Sequence, residues 1–344
     1  MTKSLLSEYL AQEDQKMYFF RAIDRRDLPL VKKLMPSMPR SLRDKTALTP
    51  VMRAVAAGDH PEILGALLSK FDPKDTHGVR GTALIMAALQ NRVESVTALL
   101  PLSDMSATND KGQTALAVAA EAGHANIVDI LLPVSDALAK DKKGATALMM
   151  AAAEGYADCL EKLAPFSALA EQDRDGDTAL HLAVYAGSPE CVRVLLSAKN
   201  GAASATMKSL RGSTPLHIAV VNSKLNVVEL LAPVSDVSIP NNKGQTVWDV
   251  LQEQVRSNLG SESEIMCSMR AEELALFSDA ASIAKVVMAF PEENRAVLFP
   301  KCLAVMEAQE IRSTMRQVEA ARDPGEPAEA PAANIAASPR SVRL

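Results

Sequence analysis

Hydrophobic and polar positions repeat along most of this chain with one long and regular period. Seven Thr residues mark it at spacings of 33, 32, 32, 32, 36 and 32 residues. After each Thr, apolar residues recur at helical spacing, as in TALAVAAEAG (114–123) and TALHLAVYAG (178–187). A fixed period of this length predicts stacked two-helix units rather than one globular core. The seven residues are Thr49, Thr82, Thr114, Thr146, Thr178, Thr214 and Thr246.

Counted from each Thr as position zero, the same residue types return at fixed positions. Ala at +5 and Val or Leu at +2 predict a buried stripe on a first helix. Gly or Asn at +9 tolerates the left-handed conformation that ends a helix. Apolar residues at +14 and +17 predict a second helix, and Asp or Asn with Gly before the Thr predicts a tight turn and a Thr N-cap. The +5 residues are Ala54, Ala87, Ala119, Ala151, Ala183 and Ala219.

The pattern D-x-x-G-x-T-[AP]-L-x-x-A…G…V-x-x-L-L resembles the ankyrin repeat, and TPLH at 214–217 matches the signature run of that family. The resemblance covers about residues 44–250 and implies an all-α ankyrin-repeat solenoid of helix-loop-helix units, to which the amphipathic pattern beyond the array adds a C-terminal helical module. The 32-residue step with TAL in place of TPL resembles the ankyrin arrays that are expanded in some protozoa. Departures from the pattern are Ala47 in place of the turn Gly, a displaced Gly in 77–81, and Ser223 in place of the helix-ending Gly.

The period also predicts how the chain is organised. Residues 1–43 hold an N-terminal segment and a degenerate capping repeat, in which Ala22 aligns with +5 and Val31 with +14. A partial capping repeat and a link follow the array at 241–260. A helical module is expected over 261–322 and a disordered tail, rich in Ala and Pro, over 323–344. Six ankyrin-like repeats fill 44–76, 77–108, 109–140, 141–172, 173–208 and 209–240, the fifth with a four-residue insertion within 197–208.

Composition narrows the functional classes. Only 3% of the residues are aromatic, which argues against a large ligand cavity and against a base-stacking surface. The net charge is −5 and the array itself is near neutral, so no nucleic-acid partner is expected. No uncharged apolar run is long enough to span a bilayer, so no membrane insertion is expected. We expect a cytoplasmic protein, or a nuclear one, with reduced thiols.

The familiar catalytic motifs are missing from the sequence, and we expect no enzyme activity, no cofactor and no metal. Cys159 and Cys191 share position +13 of adjacent repeats, and stacked helices lie about 8–10 Å apart, too far for a disulfide. His181 and His217 share position +3, where His in ankyrin-like repeats supports the turn through hydrogen bonds. The DRDGD run at 173–177 lacks the Gly and Glu of an EF-hand loop.

The favoured hypothesis is a scaffold that binds a protein partner on the concave face of the array. In ankyrin-like stacks the turn tips and the exposed side of each first helix form this face, at positions −4, −3, −1, +7 and +8. Core positions are uniform while these vary in size and charge, and Arg174 and Tyr185 are preferred because Arg and aromatic residues dominate interface energies. The candidates are Asp110, Lys111, Gln113, Glu121, Lys142, Lys143, Glu154, Arg174, Asp175, Asp177, Tyr185, Arg211, Ser213, Val221, Asn222, Asn242, Lys243 and Gln245.

Two alternatives concern the C-terminal residues. The spacing of Leu298, Cys302 and Met306 resembles the elongin-binding box of ubiquitin-ligase adaptors, which suggests a substrate adaptor, although Pro300 would clash inside a helix. Apolar residues also recur every seven positions within 264–290, which favours a helical hairpin that folds back on the last repeat, with self-association through a coiled coil as the alternative.

Overall fold

In the computed structural model the described residues are 3–222, 224–247, 249 and 250, with side chains described from Asp14 onward except at Leu225. This part of the chain is helical and contains no β-strand, apart from an isolated bridge between His77 and Gly81. The chain divides into two units, Met1–Arg174 and Asp175–Leu344. The all-α fold expected from the period is confirmed.

The first unit consists of five consecutive helix pairs. Within each pair the two helices pack together, each first helix packs on the next first helix, and each second helix packs on the next second helix. The unit therefore has two layers of helices, as stacked helix-loop-helix repeats require. The pairs are α1 (Lys3–Asp24) with α2 (Leu28–Leu34), α3 (Pro50–Ala57) with α4 (Pro61–Leu68), α5 (Ala83–Leu89) with α6 (Val93–Leu99), α7 (Ala115–Glu121) with α8 (Ala125–Leu131), and α9 (Ala147–Glu154) with α10 (Ala157–Leu163).

The second unit repeats the scheme with α11 (Ala179–Ala186) and α12 (Pro189–Ser197), then α14 (Pro215–Val221) and α15 (Leu225–Leu231). Its first helices pack on each other, and so do its second helices. The four-residue insertion expected in the fifth repeat forms a short helix, α13 (Gly201–Ser204), which packs on α12.

A short 3-10 helix follows the second helix in five of the described pairs. Each contains Pro at its second position, which fixes φ and removes a donor that the α-helix would otherwise use. The chain then leaves the second helix toward the next turn. These helices are Met35–Ser37, Leu100–Leu102, Leu132–Val134, Ala164–Phe166 and Ala232–Val234.

The expected helix boundaries are present in the structure. The Thr side chain at position zero accepts a hydrogen bond from the backbone N–H three residues later, for example Thr49 from Met52 at 3.2 Å. Gly155 ends α9 in the left-handed conformation with φ 81°, and Asn91 takes the same region with φ 56°. All six +5 alanines are buried, which lets neighbouring first helices approach closely.

The N-terminal pair differs from the others in length. Helix α1 spans 22 residues and begins well before the stretch that the sequence aligns with a first repeat helix. Its C-terminal half still packs as expected, with Ala22 and, in α2, Val31 buried. The Phe19 ring lies 6.1 Å from that of Phe71, which follows α4. Packing of these two rings therefore stabilises the contact between the N-terminal helix pair and the next repeat.

Several predictions from the sequence fall outside the described residues. They are the role of Ser223 as a helix end, the helical module at 261–322, the tail at 323–344, the box-like spacing at 298–306 and the heptad pattern within 264–290.

Candidate protein-binding surface

Four turn tips are shaped by an Asp or Asn side chain at position −5, from Asp44, Asn109, Asp141 and Asn241. In the tip at 141–145, Asp141 Oδ1 accepts hydrogen bonds from the backbone N–H groups of Lys143, at 2.8 Å, and Ala145, at 2.9 Å. Gly144 takes φ 80°, a conformation that other residues rarely adopt. The side chain thus closes the turn, as Asp and Asn do in Asx-turns.

Neighbouring tips are joined by backbone hydrogen bonds. In the first unit, the N–H of Lys142 donates to the Lys111 carbonyl at 3.0 Å, and the N–H of Arg174 donates to the Lys143 carbonyl at 2.9 Å. In the second unit, the N–H of Leu210 donates to the Asp175 carbonyl at 2.9 Å. These bonds hold the tip backbones in place while leaving the side chains at the outside.

In the first unit most candidate residues are exposed. Glu121 is half-buried, and Gln113 differs from the expectation because it is buried. Its Nε2 donates to Glu121 Oε2 at 2.7 Å and its Oε1 accepts from Asn109 Nδ2 at 2.9 Å, so this side chain supports the turn from within. The exposed candidates are Asp110, Lys111, Lys142, Lys143, Glu154 and Arg174.

The candidate residues of the second unit also include both exposed and more buried side chains. Ser213 and Gln245 are half-buried, and Asp177 is buried, which differs from the expectation that these candidates lie on the exposed face. Gln245 Oε1 accepts from Asn241 Nδ2 at 3.1 Å, as Gln113 does from Asn109. Position −1 therefore belongs to the inside of the turn. The exposed candidates are Asp175, Tyr185, Arg211, Val221, Asn222, Asn242 and Lys243.

Two buried His residues hold the turns of the second unit. The Nδ1 atom of His181 accepts from the Thr178 N–H at 3.2 Å, and its Nε2 donates to the Ser213 carbonyl at 3.1 Å. His217 makes the equivalent bond to the Gln245 carbonyl at 3.2 Å. The interpretation of these residues as supports of the turn is confirmed.

The electrostatic state of His217 follows from its surroundings. Burial lowers the pKa of this imidazole, the hydrogen bond to the Gln245 carbonyl partly opposes that effect, and the charge of Lys208 lowers the pKa further. The neutral ring suits its position, because Nδ1 accepts from the Thr214 N–H while Nε2 donates.

A cleft of about 510 Å³ at the N-terminal end of the first unit was missed by sequence reasoning. It lies between α1 and the turn at 43–46, beside Phe20 and Met17. The α1 residues that line it lie between Asp14 and Asp24, mostly within the stretch that the sequence aligns with a repeat helix, but the repeat pattern carries no signal for a cleft between this helix and the turn. At about 300–1,000 Å³, clefts of this kind are large enough to receive a side chain or small group of a partner.

The charged side chains of the cleft form two groups, an ion-paired group at its centre and an exposed, mainly cationic group at its edge. Arg53 forms two bonds of 2.7 Å with the Asp24 carboxylate and one of 3.3 Å with Asp44. Burial acts to raise the pKa of Asp44, but hydrogen bonds from Thr46 and Leu48 outweigh it and hold that pKa below its usual value. The edge carries the exposed cations Arg21, Arg43 and Lys45 and the exposed carboxylate of Asp14, so it is cationic on balance.

Among the described residues, no group of three or more His, Cys, Asp or Glu side chains could hold a metal ion. None of the helices within those residues has both the length and the apolar character needed to cross a bilayer. Cys159 and Cys191 are buried in the core, and burial raises the pKa of the Cys191 thiol.

The helix pairs, Thr caps and tip-to-tip bonds define a helical repeat protein whose turn tips offer exposed, varied side chains. The family model described as ankyrin repeats (3 copies) matches residues 19–109, 91–168 and 162–242. These matches cover well over half of the chain, and the chain belongs to the ankyrin-repeat family. Ankyrin repeats serve in general as protein-interaction modules rather than as enzymes.

Among solved structures, an ankyrin repeat domain from Acinetobacter baumannii AYE is similar to this chain. The two share 26% sequence identity with a TM-score of 0.46, and the match covers 50% of this chain and 90% of that one. No curated relative matches the chain.

Proposed function

We propose that this protein is a non-enzymatic scaffold that binds a protein partner through its turn tips and the exposed sides of its first helices. The observation that carries the proposal is the contrast between backbone and side chains at the tips. The backbones of adjacent tips are bonded to each other, as at Lys142 and Lys111, while the side chains at those positions differ in charge and size. Because these hydrogen bonds already restrict the tip backbones, the tips lose less conformational entropy when a partner binds.

The character of the side chains also supports a protein partner. In the first unit, Lys142 and Lys143 follow each other at one tip, whereas the preceding tip carries Asp110 and Lys111. Mixed charge of this kind favours a partner with a complementary charge pattern over a uniformly charged polymer. In the second unit, the Tyr185 ring is 39% exposed on α11 and offers an aromatic anchor.

The N-terminal cleft extends this proposal to a further contact. Arg21, Arg43 and Lys45 lie around an apolar wall that includes Phe20. An acidic side chain next to an apolar one would satisfy both features, because the carboxylate meets the cations while the apolar group covers the wall. We therefore infer that an acidic and apolar stretch of the partner enters the cleft.

The experiment is an affinity capture of partners from lysate with the full chain, identified by mass spectrometry, followed by titration calorimetry with each purified partner. Arg174→Ala and Tyr185→Ala, made singly, should each weaken the complex at least about tenfold, which is about 1.4 kcal/mol. Circular dichroism and the melting temperature should not change.

The matched control is Arg193→Ala, because Arg193 is also exposed but lies on the second helix α12 and pairs with Glu190. It should leave the affinity unchanged. If Arg193→Ala weakens binding as much as Arg174→Ala does, the partner contacts a different surface and the proposal is wrong.

A further inference from the structure

A row of exposed apolar residues lies outside the proposed turn-tip surface, in the 3-10 helices that follow the second helices of the first unit. Leu102, Val134 and Phe166 end three consecutive 3-10 helices and are 44%, 50% and 62% exposed. Single exposed apolar residues are common on proteins, but here the same repeat position is apolar and exposed three times in succession. We call these three residues the outer stripe. The exposed prolines Pro101, Pro133 and Pro165 precede them and widen it.

The surroundings of the outer stripe are acidic on balance, although Lys74 of the preceding repeat interacts electrostatically with Asp104. The second helices and following turns, residues 93–106, 125–138 and 157–170, contain six carboxylates and one lysine. The lysine, Lys162, forms a salt bridge of 2.6 Å with Asp129, so these two charges neutralise each other. The remaining carboxylates are Glu94, Asp104, Asp136, Asp158 and Glu161, all exposed. Such a surface repels nucleic acid and anionic lipid, and attracts a cationic partner.

The spacing of the outer stripe fits one kind of partner. Helix α6 packs on α8 and α8 packs on α10, so equivalent positions of these repeats lie about 8–10 Å apart. An α-helix rises 1.5 Å per residue, and residues seven apart on one face are therefore about 10.5 Å apart. A helix with one apolar residue in each heptad would place them beside Leu102, Val134 and Phe166 in turn.

We propose that the outer stripe is a docking site for a basic amphipathic helix of a second protein partner. Its apolar residues, seven apart, cover the stripe, and its Lys or Arg residues meet the carboxylates on either side. The interaction is the helix-on-apolar-surface type of recognition, with charge setting the choice of partner. This site uses none of the residues of the proposed turn-tip surface, and the two proposals are tested by different variants.

The test uses the full chain and a fluorescein-labelled peptide with three heptads of Leu-Lys-Ala-Ala-Lys-Ala-Ala, measured by fluorescence anisotropy. We expect saturable binding that weakens as salt is raised. Val134→Asp should weaken it at least about tenfold, since a carboxylate would replace the central apolar contact. The matched control is Leu89→Asp, because Leu89 is 53% exposed but lies on the first helix α5. It should leave the affinity unchanged, and circular dichroism should show both variants folded.

Two control peptides test separately the charge of the site and the spacing of its apolar residues. A peptide with Glu in place of Lys should not bind, and one with the same composition but Leu five residues apart should bind much more weakly. Absence of binding by the first peptide, equal binding by the Glu peptide, or equal effects of Val134→Asp and Leu89→Asp would each overturn the proposal. Concentration-dependent self-association that Val134→Asp abolishes would instead assign the outer stripe to a second copy of the chain.

Discussion

The carboxylate of Asp59 caps a helix of the following repeat by binding Ser95. Its Oδ1 accepts from the backbone N–H and from the hydroxyl of Ser95, both at 2.7 Å, and its Oδ2 accepts from the N–H of Glu94 at 2.9 Å. Helix α6 begins after Arg92, whose side chain makes no cap bond. The first N–H groups of the helix would otherwise lack partners, so one carboxylate both caps α6 and links two repeats.

Asp59→Ala should therefore lower the free energy of unfolding by about 1–3 kcal/mol, because the substitution leaves N–H groups at the start of α6 without an acceptor. Denaturant unfolding followed by circular dichroism measures the change. Asp129→Ala is the matched control, since that carboxylate is also paired across repeats, with Lys162, but is exposed. It should cost less than about 1 kcal/mol. Equal losses for the two variants would show that Asp59 acts only as a surface charge.

The period alone predicted the helix pairs, their caps and their core, because each of these depends on residue types that recur at equivalent positions of the repeats. The Thr caps and the buried +5 alanines are of this kind. The bond between Asp59 and Ser95 joins residues 36 positions apart, and the other repeats carry no Asp at the position equivalent to Asp59. A pattern read across equivalent positions contains no signal for such a contact.

Ala47 occupies the turn position where five other tips carry Gly, the tip at 77–81 being the exception because its Gly is displaced to position 81. Its φ is 63°, in the left-handed region that costs a residue with a Cβ about 1–2 kcal/mol. Ala47→Gly should raise the free energy of unfolding by about 0.5–1 kcal/mol, since the relief of strain exceeds the added entropy of the unfolded chain, roughly 0.4–1 kcal/mol. Denaturant unfolding measures this gain.

Gly144 provides the reverse experiment at the equivalent position. It has φ 80°, and a Cβ there would lie 3.2 Å from the backbone nitrogen of Arg174. Gly144→Ala should therefore lower the free energy of unfolding by about 1–2 kcal/mol. A higher free energy of unfolding for Ala47→Gly together with a lower one for Gly144→Ala would support the presence of backbone strain at Ala47. A loss of stability in Ala47→Gly would mean that the methyl group contributes more than the conformation costs.

The pKa of His217 gives the second unit a pH dependence of known sign. Burial lowers this pKa below the unfolded value of 6.5, so the unfolded chain takes up the proton first as the pH falls. The contribution of His217 to stability is complete above about pH 6.5 and is lost as the pH falls toward the folded pKa.

His217→Gln tests this dependence with little change in geometry, because Gln at the same position can complete a capping box and does not titrate. Between about pH 7.5 and 5.5 the free energy of unfolding should fall more steeply in the natural protein than in the variant. Denaturant unfolding at each pH gives the two curves. Parallel curves would show that His217 does not take up the proton in this range on unfolding.

The candidate surface was predictable only in part. The side chains at the turn tips, such as Lys142 and Lys143, are exposed as expected. The Lys143 N–H bonds to Asp141 in its own turn, and the Lys142 N–H bonds to the carbonyl of Lys111 in the preceding tip. Position −1 was expected at the surface, but Gln113 and Asp177 are buried, since the turn directs this side chain back toward the first helix. Side-chain direction within a turn depends on its dihedral angles, which residue type alone did not provide.

Two alanines of α9 lie on different sides of the helix, one in the buried stripe and one on the exposed side. Ala151 is fully buried where α9 packs on α7 and α10, whereas Ala153 is exposed. Ala151→Arg should lower the free energy of unfolding by about 4 kcal/mol or more, because a long charged side chain cannot fit between packed helices and has no partner there. Ala153→Arg should change it by less than about 0.5 kcal/mol.

Thermal unfolding by circular dichroism measures both variants, and hydrogen exchange locates the effect. In Ala151→Arg the loss of protection should centre on α7, α9 and α10, because each repeat contacts only its neighbours. Ala153→Arg has the same added charge and volume on the same helix, so it controls for both. If the two variants melt alike, the +5 alanines do not form the contact between repeats, and the stacking argument would be wrong.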